Sequence, residues 1–211
     1  MNCDTAEGSG RNPKFDQRVI NIEGDLVALG PLRRDLIPQY HRWQNDFEVS
    51  RTRGVGWPVT QEQTVAEFER QTASDREKAF TIYARATLRP IGICVLSEID
   101  HRFGRGTFAI TIGEEDYRGK GYGTEATRLA LDYAFIGLGL VNVMLTCFAF
   151  NLGGRRAYEK ASFREFGRRR RCSRHGGKDW DLIYMECLAD EFVSPVLSQS
   201  LLPEVITAQG R

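Results

Sequence analysis

Residues 118–123 read Arg-Gly-Lys-Gly-Tyr-Gly and stand between a strand-like run and a helix-like run. Upstream, Thr107-Phe-Ala-Ile-Thr-Ile-Gly113 alternates apolar and β-branched residues, the period-two pattern of a strand. Downstream, Ala126, Leu129, Ala130, Tyr133 and Ala134 recur on one face over 124–136, which predicts a helix. A glycine-rich turn from strand to helix gathers free backbone N–H groups and the positive end of the helix dipole at one spot, and that spot suits a phosphate or pyrophosphate. Glycine is needed there because a Cβ would block both a close ligand and a positive φ. The spacing fits neither common nucleotide loop. A P-loop needs four residues between its glycines and then Gly-Lys-Ser/Thr, and a dinucleotide fingerprint counted from Gly119 or Gly121 would need glycine at Thr124 or Ala126.

The rest of the chain reads as an alternation of elements. Residues 26–32 predict a strand, with Asp35 capping a helix that runs to about Gln44. Trp57-Pro58 breaks the chain, and Thr60-Gln-Glu-Gln63 has the form of a capping box opening a second helix. Strands are expected over 80–84, 90–99 and 107–113, then the 124–136 helix ended by Gly137 and Gly139. A strand over 141–148, a short helix over 154–161 and strands over 163–170 and 181–188 complete the pattern, with 175–178 as the last hairpin turn. The order is β-α-α-β-β-β-α-β-α-β-β, which implies an α/β (α+β) fold with a mixed central sheet and helices on both faces. Residues 1–18 read as a disordered lead, 19–193 as a single domain and 194–211 as a loose tail.

Bulk properties narrow the class. Apolar content of 41% and charged content of 27% are those of a globular protein. A formal net charge of +1 argues against direct nucleic-acid binding by the whole molecule. No stretch has membrane-spanning length or the form of a signal peptide. The five cysteines lack zinc spacing, so no metal is expected, and Cys94, Cys147 and Cys187 lie in apolar runs as small core residues. A reducing cytoplasm is the expected location.

Three segments together resemble the GNAT N-acetyltransferase superfamily over roughly residues 24–190. The sharpest is 110–126, where Arg118, Gly121 and Gly123 fill the acetyl-CoA signature Gln/Arg-x-x-Gly-x-Gly/Ala. The second runs from Asn151 through Tyr158-Glu-Lys to Phe163. The third, Leu32-Arg-Arg-Asp-Leu with His41-Arg-Trp-Gln-Asn-Asp46, is similar to the subgroup of spermidine and ribosomal-protein N-terminal acetyltransferases. The resemblance implies the GNAT-like fold and acetyl-CoA as donor. Backbone amides of Arg118, Gly119, Lys120, Gly121, Tyr122, Gly123 and Thr124 would hold its pyrophosphate, with the Lys120 charge nearby. Asn151 would bind the pantetheine arm, Arg155 or Arg156 the 3′-phosphate, and an amide near Ile112 the thioester carbonyl, where two strands splay. Tyr158 corresponds to the acid that protonates the departing thiolate.

The chain also departs from the family. Thr107 stands where many relatives carry a Glu near the general base, and threonine takes no proton at neutral pH. Glu98 and Asp100 on the preceding strand are the nearest replacements, and alternation would put both on one face. Ser162 replaces the Gly that ends the 154–161 helix, and Gly154 replaces a usual Ser or Ala. Trp57 and Trp43 are expected to line the acceptor pocket. Asp46, Glu48, Glu62 and Glu67 are the carboxylates available to a polyamine. The run of basic residues from Arg155 to Lys178 reads three ways: a solvated edge strand, a contact of Arg155 or Arg156 with the 3′-phosphate, or a wall over 168–174 for an acidic substrate or for ribosomal RNA near a protein target. The expected activity is acetyl transfer from acetyl-CoA to the primary amine of a small molecule, such as a polyamine or amino sugar. The alternatives are acetylation of a protein N-terminus, a non-catalytic CoA-binding module, or acyl or aminoacyl transfer on the same fold. Dimers are common among similar proteins, and a homodimer stays open.

Overall fold

The computed structural model describes residues 18–54 and 58–201. Trp57, the expected pocket tryptophan, lies outside the described residues, as do all but Arg18 of the lead and all of 202–211. Eight strands form one sheet in the order β1-β2-β3-β4-β5-β6-β8-β7. They are β1 (Ile22–Glu23), β2 (Val27–Pro31), β3 (Lys78–Ala84), β4 (Arg89–Asp100), β5 (Arg105–Ile112), β6 (Asn142–Phe148), β7 (Arg164–His175) and β8 (Lys178–Leu188). Every neighbouring pair is antiparallel except β5 and β6, which run parallel. The helices are α1 (Ile37–Asn45), α2 (Phe47–Arg53), α3 (Gln61–Ala73), α4 (Tyr122–Asp132), α5 (Leu152–Lys160) and α6 (Leu197–Ser200).

Alternation along the strands sorts side chains into two cores. Phe80, Ile82 and Ala84 of β3, with Cys94 and Leu96 of β4, pack with Ala126, Leu129 and Ala130 of α4. Ile93, one position from Cys94, instead meets Ile37, Tyr40, Trp43 and Phe68 of α1 and α3. Leu129 and Leu131 of α4 are 1% and 0% exposed. Each leaves water for about 2 kcal/mol of stabilisation, and the pair hold α4 to the sheet. Cys94, Cys147 and Cys187 are buried and free, as their apolar surroundings predict.

The capping box at Thr60 forms as read: Thr60 accepts from the Gln63 amide and Gln63 returns the bond. The Gly176-Gly177 turn also forms, with both residues at positive φ between paired His175 and Lys178. Other expectations need correction. Asp35 caps no helix; its carboxylate takes two bonds from Arg33, and α1 starts at Ile37 after a single 3-10 turn. An additional helix, α2, follows α1, because Asp46 accepts from the Glu48 amide and Gly54 closes the far end at φ 73°. The chain stays packed beyond 194: Leu197 is buried, and the Asp132 carboxylate accepts from the Val196 and Leu197 amides at 3.0 and 2.8 Å. Ser162 does take the left-handed position that ends α5, at φ 79°. It costs about 1 kcal/mol there, offset by the Phe163 amide bonding back to the Tyr158 carbonyl.

Candidate active site

β5 and β6 pair only through Arg105–Asn142, Gly106–Val143 and Thr107–Met144, and then part. β5 remains laddered to β4 as far as Ile112, and β6 remains laddered to β8 as far as Phe148. The gap therefore exposes one edge of β5, where alternate backbone groups have lost a strand partner. Two cavities open onto that edge, one of about 520 Å³ and one of about 540 Å³. Consecutive residues 107–111 line the first. Two strand faces would offer only alternate residues to one side, so it is the edge itself that is exposed. Thr52, Ile110, Thr111 and Tyr158 line both cavities and mark where they meet.

The larger cavity is built around the glycine turn. Gly119 and Gly121 sit at φ 72° and 93°, so both require the left-handed freedom read from the sequence. The first helical bond of α4 runs from the Glu125 amide to the Gly121 carbonyl at 3.0 Å. The Tyr122, Gly123 and Thr124 amides precede it and have no intrahelical acceptor. The Arg118 side chain has a structural role besides the one expected of its backbone amide. Its guanidinium donates to the Ile112 and Gly113 carbonyls at 3.0 and 2.8 Å and faces Asp46 at 3.7 Å, which moors the turn to the end of β5. A second mooring was not read from the sequence. Glu125 accepts from the Asp25, Leu26 and Val27 amides at 2.7, 2.7 and 2.9 Å, pinning the start of α4 to the β1–β2 turn. Gly24 is required there, since a Cβ would stand 2.8 Å from Glu125 Oε1.

Of the sequence-proposed residues, Ile112, Arg118, Gly119, Gly121, Gly123, Thr124, Asn151, Arg156 and Tyr158 line this cavity. Lys120, Tyr122 and Arg155 do not. Tyr122 stacks edge-on against Tyr117, and Arg155 is held by Glu159 at 2.9 Å and Glu165 at 3.3 Å. Arg51 and Lys160 line it and were missed. Lys160 lies four residues after Arg156, so the helical repeat alone would have put both on one face; Arg51 rides on a helix the sequence reading did not anticipate. Asn151 fills its structural role as well, because its Oδ1 caps α5 by accepting from the Gly154 amide at 2.9 Å. That contact explains Gly154: a Cβ there would lie 2.6 Å from Asn151 Nδ2. The Asn151 side-chain nitrogen makes no hydrogen bond to a described residue, and Asn151 lines the cavity.

Tyr158 projects from α5 with its ring edge-on to Phe163, 6.1 Å between centroids. Burial, together with the neighbouring Cys147 thiol, raises its pKa above the usual phenol range. It therefore keeps its proton at neutral pH, the state a proton donor needs.

The smaller cavity is lined by α1, α2, α3, α5, β4, β5, β6, β7 and β8. Trp43 is not part of it. At 1% exposure it lies in the core beneath α1, flat against Gly113, where a Cβ would come within 2.2 Å of its ring. Its Nε1 donates to Glu114 Oε1 at 2.7 Å. Glu114 is buried and also accepts from Gln39 at 2.8 Å, from Arg89 at 2.5 Å and from Arg42. Burial alone would raise its pKa, but the Trp43 bond and the charges of Arg42 and Arg89 outweigh it and hold the carboxyl below its ordinary value. Trp43 is thus a positioning residue that locks α1 to the end of β5.

Glu98 and Asp100 do not share a cleft-facing surface. A bulge between Ser97 and Asp100, with Glu98 at φ 52°, breaks the alternation that reading assumed. Neither carboxylate lines a cavity. Asp100 is occupied with the Arg102 and Phe103 amides and with Arg105. Glu98 is exposed and accepts a 2.7 Å bond from Thr107 Oγ1, and Thr107 does line the smaller cavity.

Comparison with known proteins follows the same lines as this geometry. Residues 27–164 match the acetyltransferase (GNAT) domain family. An uncharacterized N-acetyltransferase, YnaD, of Bacillus subtilis is 25% identical over 159 residues, 73% of this chain and 92% of the relative. Spermidine N(1)-acetyltransferase of Escherichia coli K12 is 29% identical over 141 residues, 65% of this chain and 72% of the relative. Among solved structures, a spermidine N-acetyltransferase from Vibrio cholerae, crystallised with CoA and spermine, superimposes with a TM-score of 0.73. It covers 79% of this chain and 97% of that one at 22% identity, a likeness of fold.

Proposed function

The chain belongs to the GNAT N-acetyltransferase family, and from that premise we propose that it moves the acetyl group of acetyl-CoA to the primary amine of a small molecule. The observation that carries this reading is the meeting of two cavities at the parted edge of β5, with Tyr158 in both linings. One cavity takes the donor and the other the acceptor, so the two reactants meet directly and no enzyme-bound acetyl group is required.

The larger cavity suits the donor. Its glycine turn offers three amides without helical acceptors, and Arg156 and Lys160 on α5 add positive charge to the lining. Asn151 is placed for an amide of the pantetheine arm, and the unpaired edge of β5 for the thioester carbonyl, where a donated N–H stabilises developing oxyanion charge. The amine nitrogen then attacks the carbonyl carbon, forming the C–N bond. The C–S bond breaks, and the sulfur takes a proton from, or a hydrogen bond with, the Tyr158 hydroxyl. The nitrogen must also shed a proton. Thr107 cannot hold it, but its hydroxyl can accept it while passing its own to Glu98 Oε2, to which it is already bonded. Glu98 is proposed as the proton's exit through Thr107, and Asp100 is not, since its oxygens hold the 101–105 turn.

The test is transfer of labelled acetyl from acetyl-CoA into a filtered cell extract, separated into small-molecule and protein fractions, with thermal stabilisation by acetyl-CoA measured in parallel. Label in the small-molecule fraction is expected. Label on protein alone would replace the acceptor with a polypeptide amine, and absence of both label and stabilisation would remove the donor.

A further inference from the structure

The basic run on β7 resolves unevenly once its partners are seen. Of its six arginines, Arg164 meets Glu191, Arg168 meets Glu165 and Asp181, and Arg171 and Arg174 both meet Asp179. Arg169 and Arg170 form no side-chain hydrogen bond or ion pair with any described residue. One of these two, Arg169, lines the smaller cavity. The other charged residue in that lining is Glu67, and its charge is already met. Arg70 grips both its oxygens at 2.8 and 3.0 Å, and Gln71 adds a third bond at 2.8 Å.

The carboxylates a polycation would need are elsewhere. Asp46 faces Arg118, Glu48 faces Arg51 at 3.4 Å, and Glu62 lines neither cavity. With Glu67 neutralised in place, the lining presents one uncompensated charge among the described residues, and it is positive. Arg169 is exposed to solvent as well as lining the cavity, so its guanidinium is free to meet a ligand there.

We infer that the acceptor is an amine that also carries a carboxylate, of the amino-acid class, with Arg169 as the counter-ion that orients it. This deepens the proposed function and rests on it. A guanidinium pairs a carboxylate through two parallel bonds, so it fixes direction as well as charge. Arg169 is paired across β8 with Leu182, which in turn is paired with Phe148 at the end of β6. At two strand spacings, its Cα is about 10 Å from that of Phe148, leaving room for a short acceptor between the arginine and the β5 edge.

The experiment compares kcat/KM with acetyl-CoA for the amino acids, their carboxamides and spermidine, following both CoA release and acetylated product. The acids are expected to exceed their amides about tenfold or more. Arg169→Gln should bring the ratio near one through KM for the amine, leaving KM for acetyl-CoA unchanged, and Arg169→Glu should favour spermidine over the acids. Equal rates for acid and amide, a preference for spermidine in the native protein, or no transfer to any acid would each overturn the inference. Binding of acetyl-CoA by calorimetry separates that result from failure of the donor assignment.

Discussion

The two cavities that meet at Tyr158 are made of different material. On the donor side the chain presents its own backbone: a continuous turn, glycines at positive φ, and the open end of α4. On the acceptor side it presents the parted edge of β5 together with side chains gathered from eight other elements scattered along the chain. A backbone-built site needs particular residues at particular spacing, because a Cβ in the wrong place abolishes it. A side-chain-built site can be assembled in many ways from parts that look ordinary alone. The contrast teaches where acceptor specificity can be tuned: the side-chain-built half can be remodelled by substitution without disturbing the turn that the backbone-built half depends on.

Substitutions can sharpen or break that contrast. The largest effect is expected on the donor side. Gly121→Glu combines left-handed strain with a like charge beside a pyrophosphate, together about 4 kcal/mol, so acetyl-CoA affinity should fall roughly a thousandfold in calorimetry. Unchanged affinity would detach the turn from the donor. Next is the scaffold under the acceptor side. Glu114→Gln weakens the buried Trp43 bond and leaves Arg42 and Arg89, both more than half exposed, facing a neutral group, a loss of about 2 kcal/mol, readable as a lower urea midpoint. The same carboxyl sets a pH dependence. Its folded pKa lies below an unfolded value of about 4.3, so its contribution is complete above that value and disappears as pH falls through the folded one. The native protein should therefore lose more stability than Glu114→Gln between pH 6 and pH 3, and parallel losses would show that Glu114 is not the group involved.

At the junction, Tyr158→Phe should lower kcat about a hundredfold with KM values held. Full kcat in a folded variant would leave the thiolate to be protonated by another group. The smallest effects are expected at the margins. Lys160→Gln should weaken acetyl-CoA only a few-fold, as befits an exposed charge worth about 0.5 kcal/mol, and the loss should vanish in high salt. Glu98→Gln should lower kcat a few-fold, and so should Thr107→Val if the hydroxyl relays the proton; unchanged kcat in both variants would close that route.

What could be read from the sequence divides along the same line. The strand order, the glycine turn, the Thr60 box and the Gly176-Gly177 hairpin were legible because each rests on local periodicity or on φ. Helix α2 was not, since its seven residues are too few for a helical face to stand out. Trp43 was misread because nothing local distinguishes a pocket tryptophan from one lying against a distant glycine. The Glu98–Asp100 pairing failed at a bulge, which is one extra residue with no compositional mark. Arg169 could not be separated from its five neighbours on β7 until the acidic partners of four of them had been subtracted and the cavity lining had set it apart from Arg170.

Glu125 has a consequence for where the working unit begins. The family match starts at residue 27, whereas the amides that clamp Glu125 come from Asp25, Leu26 and Val27, about a hundred positions before it. A chain trimmed at its front to residue 27 would keep every group assigned to the reaction and lose two of the three restraints on the donor turn. Its turn would have to be ordered by the donor itself, and affinity would fall by that conformational entropy. The smallest piece able to do the chemistry and the smallest piece already shaped for it are therefore different lengths of chain.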